Sequence, residues 1–124
     1  MSEYLPMPRN AFLLQKPSSH HNMESIEEFG RPVSLFNRGF YPDDTKDRYG
    51  VIMAVCDKKL KRFDPNLDYI VPMGDSCVVA AVTIWLADNE KLPALYLKYD
   101  KKLGGFYPIK IGELGYGPGE TVGV

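Results

Sequence analysis

Ten consecutive positions, Cys77 to Leu86, carry a single polar side chain, Thr83. That run constrains the fold more than any other feature of the chain. A helix through it has almost no polar face, so it is covered on more than one side, either central to the domain or part of an association surface. Its entry is marked. Leu67-Asp68-Tyr69-Ile70-Val71-Pro72 reads as a strand, and Met73-Gly74-Asp75-Ser76 as a tight turn. Asp75 or Ser76 can accept a hydrogen bond from an amide of the first helical turn, which is what an N-cap does. A strand turning sharply into an apolar helix over 76–88 is half of a β-α-β unit.

The rest of the chain supplies the partners. Pro32 to Phe36 reads as a short strand with its proline at the start, where no donor is needed. Residues 44–63 read as a helix. Tyr49, Ile52, Met53, Cys56, Leu60 and Phe63 fall within about 100° of arc when wound at 100° per residue. Asp43, Asp44 and Asp47 crowd its start and Lys58, Lys59, Lys61 and Arg62 its end, the charge order that a helix dipole favours. Val51 to Cys56 alone would also suit a buried strand, but Lys and Asp flanks and the longer stripe favour helix. Ala94 to Tyr99 and Phe106 to Ile111 are aromatic and β-branched runs joined by a loop with Gly104-Gly105, the pattern of a hairpin. Pro108 cannot donate to a ladder, so its strand is placed at the sheet edge.

These readings give an α/β domain over residues 32–111: a small Rossmann-like sheet of three to four strands, two main helices and an antiparallel edge hairpin. Residues 1–31 read as an N-terminal arm. It is broken by Pro6, Pro8 and Pro17, with Ala11-Phe12-Leu13-Leu14 as its apolar anchor and a turn of helix at Ser25-Ile26-Glu27-Glu28. Residues 112–124, rich in glycine, read as an irregular tail.

Composition excludes several functions. The 124 residues carry a net charge of −1, so no overall basic field holds a nucleic-acid backbone. No segment approaches the ~20 apolar residues of a membrane span. The N-terminus lacks the pattern of a secretory signal, which places the chain in the cytoplasm. Cys56 and Cys77, both in apolar runs, read there as two buried, free thiols.

From Phe63 to Ile111 the chain resembles small uncharacterised proteins of phages and mobile elements. The residues that carry the resemblance are Phe63-Asp64-Pro65, Asp68 to Asp75, Leu97-Lys98-Tyr99-Asp100 and Tyr107-Pro108-Ile109. It implies a phage-type origin, hence a host cytoplasm, and transfers no functional residue.

Chemistry is sparse. The amides of Gly74, Asp75, Ser76 and Cys77 sit where an anion would meet a helix N-terminus, although the Asp75 carboxylate can cap them itself. The segment is not a G-x-G-x-x-G loop and has no P-loop lysine. Ser76 as a nucleophile needs a base, and the only histidines are His20 and His21 in the arm. These two also lack further ligands for a metal. Asp43, Asp44 and Asp47 suit a helix start better than a hard cation, which needs more converging oxygens. No cofactor, metal or catalytic set is implied. Lys58, Lys59, Lys61 and Arg62, with Lys98, Lys101 and Lys102, would form one basic patch if folded together. The sequence reading is therefore a non-enzymatic interaction protein, host-modulating or assembling, with a protein partner or a second copy of itself. Its contacts are placed at Phe12, Leu13, Leu14, Tyr96, Tyr99, Tyr107 and the tail's Tyr116. A nucleotide- or phosphate-binding domain and a virion component are the alternatives.

Overall fold

The computed structural model describes residues 9–15, 23–36 and 48–112. His20, His21, Asp43, Asp44, Asp47, Tyr116 and most of the expected tail lie outside them. Eight elements follow in order: β1 (Asn10–Gln15), α1 (Met23–Glu27), β2 (Arg31–Phe36), α2 (Arg48–Lys59), β3 (Tyr69–Val71), α3 (Ser76–Asp88), β4 (Ala94–Asp100) and β5 (Gly105–Ile111). The strands form one sheet in the order β2-β1-β3-β4-β5. The first four pair in parallel, and β5 is antiparallel to β4.

The α/β class holds, with one strand more than expected. Ala11-Phe12-Leu13-Leu14, assigned above to an arm, is the middle of β1. This strand lies inside the sheet, hydrogen-bonded to β2 on one side and β3 on the other. The physical reason is that a parallel strand covered on both faces has no polar face to alternate with. Ala11, Leu13 and Leu14 are fully buried and Phe12 nearly so, so they are core and cannot serve as a docking anchor.

The strands divide the core in two. Phe12, Leu14, Ile70, Ala94 and Tyr96 face α2 and α3 and pack with Ile52, Cys56, Leu60, Phe63, Val82, Trp85 and Leu86. Ala11, Leu13, Tyr69, Val71 and Leu97 face the other way, around Ile26 of α1. α1 packs against β2 and also touches β5, so the sheet curves around this short helix. Ser25 lies inside α1 and is not its cap.

The helical reading of residues 44–63 holds for Arg48–Lys59. Ile52, Cys56, Leu60 and Phe63 of the stripe are buried, while Tyr49 is 48% exposed. α3 begins at Ser76 with Asp75 as N-cap. It is covered on one side only. Val78, Ala81, Val82, Trp85 and Leu86 are buried, whereas Cys77, Ala80 and Ala87 are exposed and Ile84 is 47% exposed. Two small residues, Ala80 and Ala87, let much of the outer face go uncovered at little cost, which the apolar count alone does not reveal. The Trp85 Nε1–H donates to Asp57 Oδ1 at 2.8 Å and ties α3 to α2. β5 is at the sheet edge, as Pro108 requires.

Asp68 is a buried carboxylate with a structural task. It accepts the amides of Asn10 at 3.0 Å and Asp64 at 2.8 Å, fixing the start of β1 to the loop before β3. Arg9 completes this corner: its Nη1 donates to the Tyr69 hydroxyl at 3.0 Å.

The two thiols differ. Cys56 is buried and Cys77 exposed, and both are free, so the expectation of two buried thiols fails at Cys77. Burial, and secondarily the neighbouring Asp57 carboxylate, push the Cys56 thiol up to about 12 from 9.0. Between those values the unfolded chain has lost the proton and the folded one retains it. The unfolded state then binds fewer protons, so stability falls as pH rises through that window. In native protein at neutral pH, a thiol reagent should modify one cysteine quickly and the second only after denaturant is added. Fast modification of both would show that α2 does not bury Cys56.

Candidate functional site

The strand-turn-helix junction at 72–78 is closed by its own side chains. The Asp75 carboxylate accepts the amides of Cys77 at 2.8 Å and Val78 at 3.2 Å. The Asp75 amide donates to the Gln15 side-chain oxygen, which reaches over from the end of β1. Gly74 has φ +112°, and a Cβ there would collide with the Gln15 side chain. An anion at Gly74-Asp75-Ser76-Cys77 would have to displace the cap. Gly74→Ala should lower stability by about 2–3 kcal/mol through backbone strain and overpacking, read as a lower urea midpoint. An unchanged midpoint would contradict the turn geometry.

An open cavity lies beside this junction, on the α1 side of the sheet's carboxyl edge. It is about 370 Å³ in volume and is lined by Pro72, Met73, Leu97, Lys98, Tyr99, Lys101 and Phe106. The elements place these residues by simple rules. Pro72 and Met73 follow the last residue of β3. Alternation along β4 puts Leu97 and Tyr99 on one face. The hairpin register sets Tyr99 opposite Phe106 and Leu97 opposite Pro108. The Tyr99 and Phe106 rings meet edge to face, with centroids 5.3 Å apart, and form one wall.

The loop above this wall is held by Asp100. Its carboxylate accepts the amides of Lys102 at 2.8 Å and Leu103 at 3.3 Å, and its carbonyl accepts from Gly104 at 2.8 Å. The Asp100 carboxylate is thus turned into its own loop. Lys98 and Lys101 are exposed, and neither is tied to a carbonyl or carboxylate of the described residues. At the loop tip Leu103 is 75% exposed.

Of the residues picked out for interaction, Tyr99 alone lines this cavity. Phe12, Leu13 and Leu14 are in the core. Tyr96 is buried too, with its hydroxyl 2.7 Å from Thr83 Oγ1. Burial raises the pKa of its phenol above the usual value, and the Thr83 hydrogen bond partly offsets this. Tyr107 is half-buried and stands opposite Lys98, on the other face of the hairpin. Pro72, Met73, Leu97 and Phe106 escaped sequence reading. The one signal for them is the hairpin register, which brings Leu97, Tyr99 and Phe106 to a common face.

The single basic patch is not formed. α2 crosses from the carboxyl end of β2 to the amino end of β3, so Lys58 to Arg62 lie at the amino edge of the sheet. Lys98 and Lys101 lie at the carboxyl edge. Two other lysines serve the fold: Lys59 Nζ donates to the Leu35 carbonyl, near the end of β2, at 2.8 Å and Lys91 Nζ to that of Phe63 at 2.9 Å. No group of three or more metal-ligating side chains occurs among the described residues. No helix among them is long and apolar enough to cross a membrane.

A model of phage Pam3 gp32-like proteins matches residues 9–113. The chain belongs to this family of phage proteins. The match runs from just before β1 to just past β5, so it takes in the whole sheet, the cavity and the N-terminal strand that sequence reading had set apart. It also bears out the phage-type resemblance, which had been drawn from a shorter stretch. Neither the curated proteins nor the solved structures contain a match to the chain. The family gives an origin and leaves the activity to be argued from the site.

Proposed function

We propose that this phage-family protein is a non-enzymatic interaction protein of the host cytoplasm, and that it contacts a protein partner through the groove at the carboxyl edge of β3 and β4. The observation that carries this reading is the lining of the cavity. Five apolar or aromatic residues, with lysines at the lip and Leu103 projecting from the loop beside it, make a surface suited to holding a partner side chain. Ammonium and phenol groups bind and orient. The layout supports the location. β1 and β3 are neighbours, and their crossovers leave in opposite directions, as in a Rossmann-like sheet. In such sheets ligands gather outside the carboxyl ends of strands.

The same layout is what a nucleotide- or phosphate-binding domain would use. The Asp75 carboxylate over the Cys77 and Val78 amides speaks against an anion at the junction, so the protein reading is preferred.

Site-specific photo-crosslinking in cells carrying the phage tests it. A benzophenone amino acid placed at Leu103 should capture one protein that the same probe at Lys58, on the opposite edge, does not. Capture of a second copy of this chain would point to self-assembly through the same groove. Adducts that are absent, or identical at both positions, would overturn the proposal.

A further inference from the structure

We infer that the groove is built for an acidic peptide segment carrying a bulky aromatic or aliphatic side chain, which enters the cavity while flanking carboxylates meet Lys98 and Lys101. This rests on the interaction reading above and gives its partner a chemistry. The first observation is size. A volume of about 370 Å³ is at the lower end of the ~300–1,000 Å³ of small-molecule pockets, room for one or two large side chains. The second is the character of the walls. Met73 adapts to irregular shapes, and the Tyr99–Phe106 pair offers an aromatic edge to a ring entering beside it. The third is charge. Lys98 and Lys101 both border the cavity, Lys98 reaching its rim from the other face of β4, where it stands opposite Tyr107, and Lys102 is next in the loop. Asp100, the carboxylate closest in sequence, is engaged by loop amides and is not aimed at these ammonium groups. Lys59 and Lys91 donate to backbone carbonyls, whereas Lys98 and Lys101 make no such bond among the described residues. A basic or neutral segment would leave that field unanswered.

The test uses the full chain and three probes: a labelled peptide Glu-Asp-Phe-Asp-Glu, its counterpart Lys-Lys-Phe-Lys-Lys, and phenylacetate as a free aromatic acid. Fluorescence anisotropy should show saturable binding of the acidic peptide, weakened by salt, and none of the basic one. The double variant Lys98→Glu/Lys101→Glu, at exposed positions that leave the core intact, should weaken the acidic peptide by about tenfold and bring in the basic one. Leu103→Ser, at the loop tip, should weaken the acidic peptide while the basic one still fails to bind. Equal binding of the two peptides, or an unchanged preference in the double variant, overturns the inference. Phenylacetate that competes as tightly as the peptide, residue for residue of contact, reassigns the cavity to a small acid and overturns it too. The underlying reading fails separately. A partner captured at Leu103 through a basic or neutral segment removes only the acidic specificity, whereas no captured partner removes the interaction itself.

Discussion

Removal of residues 1–15 is expected to abolish cooperative unfolding of the remaining chain. β1 supplies the hydrogen-bond partners of both β2 and β3. Its loss detaches β2 from the sheet and opens an edge on β3. It also removes Phe12, Leu13 and Leu14, all buried. Burial of three such side chains contributes roughly 5–9 kcal/mol at about 1.5–3 kcal/mol each. A domain of this size has about 5–15 kcal/mol in total, so little or nothing is left. Leu13→Asp makes the same point without shortening the chain, because an unpaired carboxylate in the centre of a sheet is costly to desolvate. Circular dichroism through a urea titration would read the effect. A truncated chain with the full-length midpoint would mean that residues 9–15 are not an inner strand. Leu103→Asp is the control, since an exposed loop tip should shift stability by less than about 0.5 kcal/mol.

The second large effect is expected at Trp85. Trp85→Ala empties the space between α2, α3 and the sheet and should cost about 3–5 kcal/mol. Trp85→Phe keeps most of the apolar contact and loses the Nε1–H donated to Asp57. Asp57 is exposed, so water replaces the lost donor and the cost should be near 1 kcal/mol. Asp57→Ala should match that smaller figure, and combining it with Trp85→Phe should add little, because the same hydrogen bond is removed twice. Additive losses would show that the indole and the carboxylate act independently.

Sequence reading did well where one element carries its own pattern. The stripe from Ile52 to Phe63 and the charged end at Lys58-Lys59 marked α2. Asp75 before an apolar run marked α3. Pro108 marked an edge. It failed at β1 because four apolar residues between prolines and polar segments look the same in an arm as in a strand covered on both faces. Only the neighbours distinguish the two, and these come from β2 and β3, which lie further along the chain. The cavity was hidden for a related reason. Its lining comes from 72–73, 97–101 and 106, brought together by a crossover and a hairpin. Lys98 and Lys101 were noticed as charges and joined to the wrong group, because spacing in sequence does not say that α2 ends at the far edge. Gln15 was invisible as a partner of Asp75, since nothing local links residues sixty positions apart.

Ile26 is the fully buried residue of a helix only five residues long, yet that helix meets both rims of the sheet. β2 and β5 stand at opposite ends of the strand order, and α1 contacts both of them. When α1 transiently lets go, β2 and β5 lose a shared support in the same event, while β1 and β3 keep their ladders on both sides. Amide protons on the two outer strands should therefore exchange with solvent in step, as one cooperative unit assembled from opposite borders of the protein.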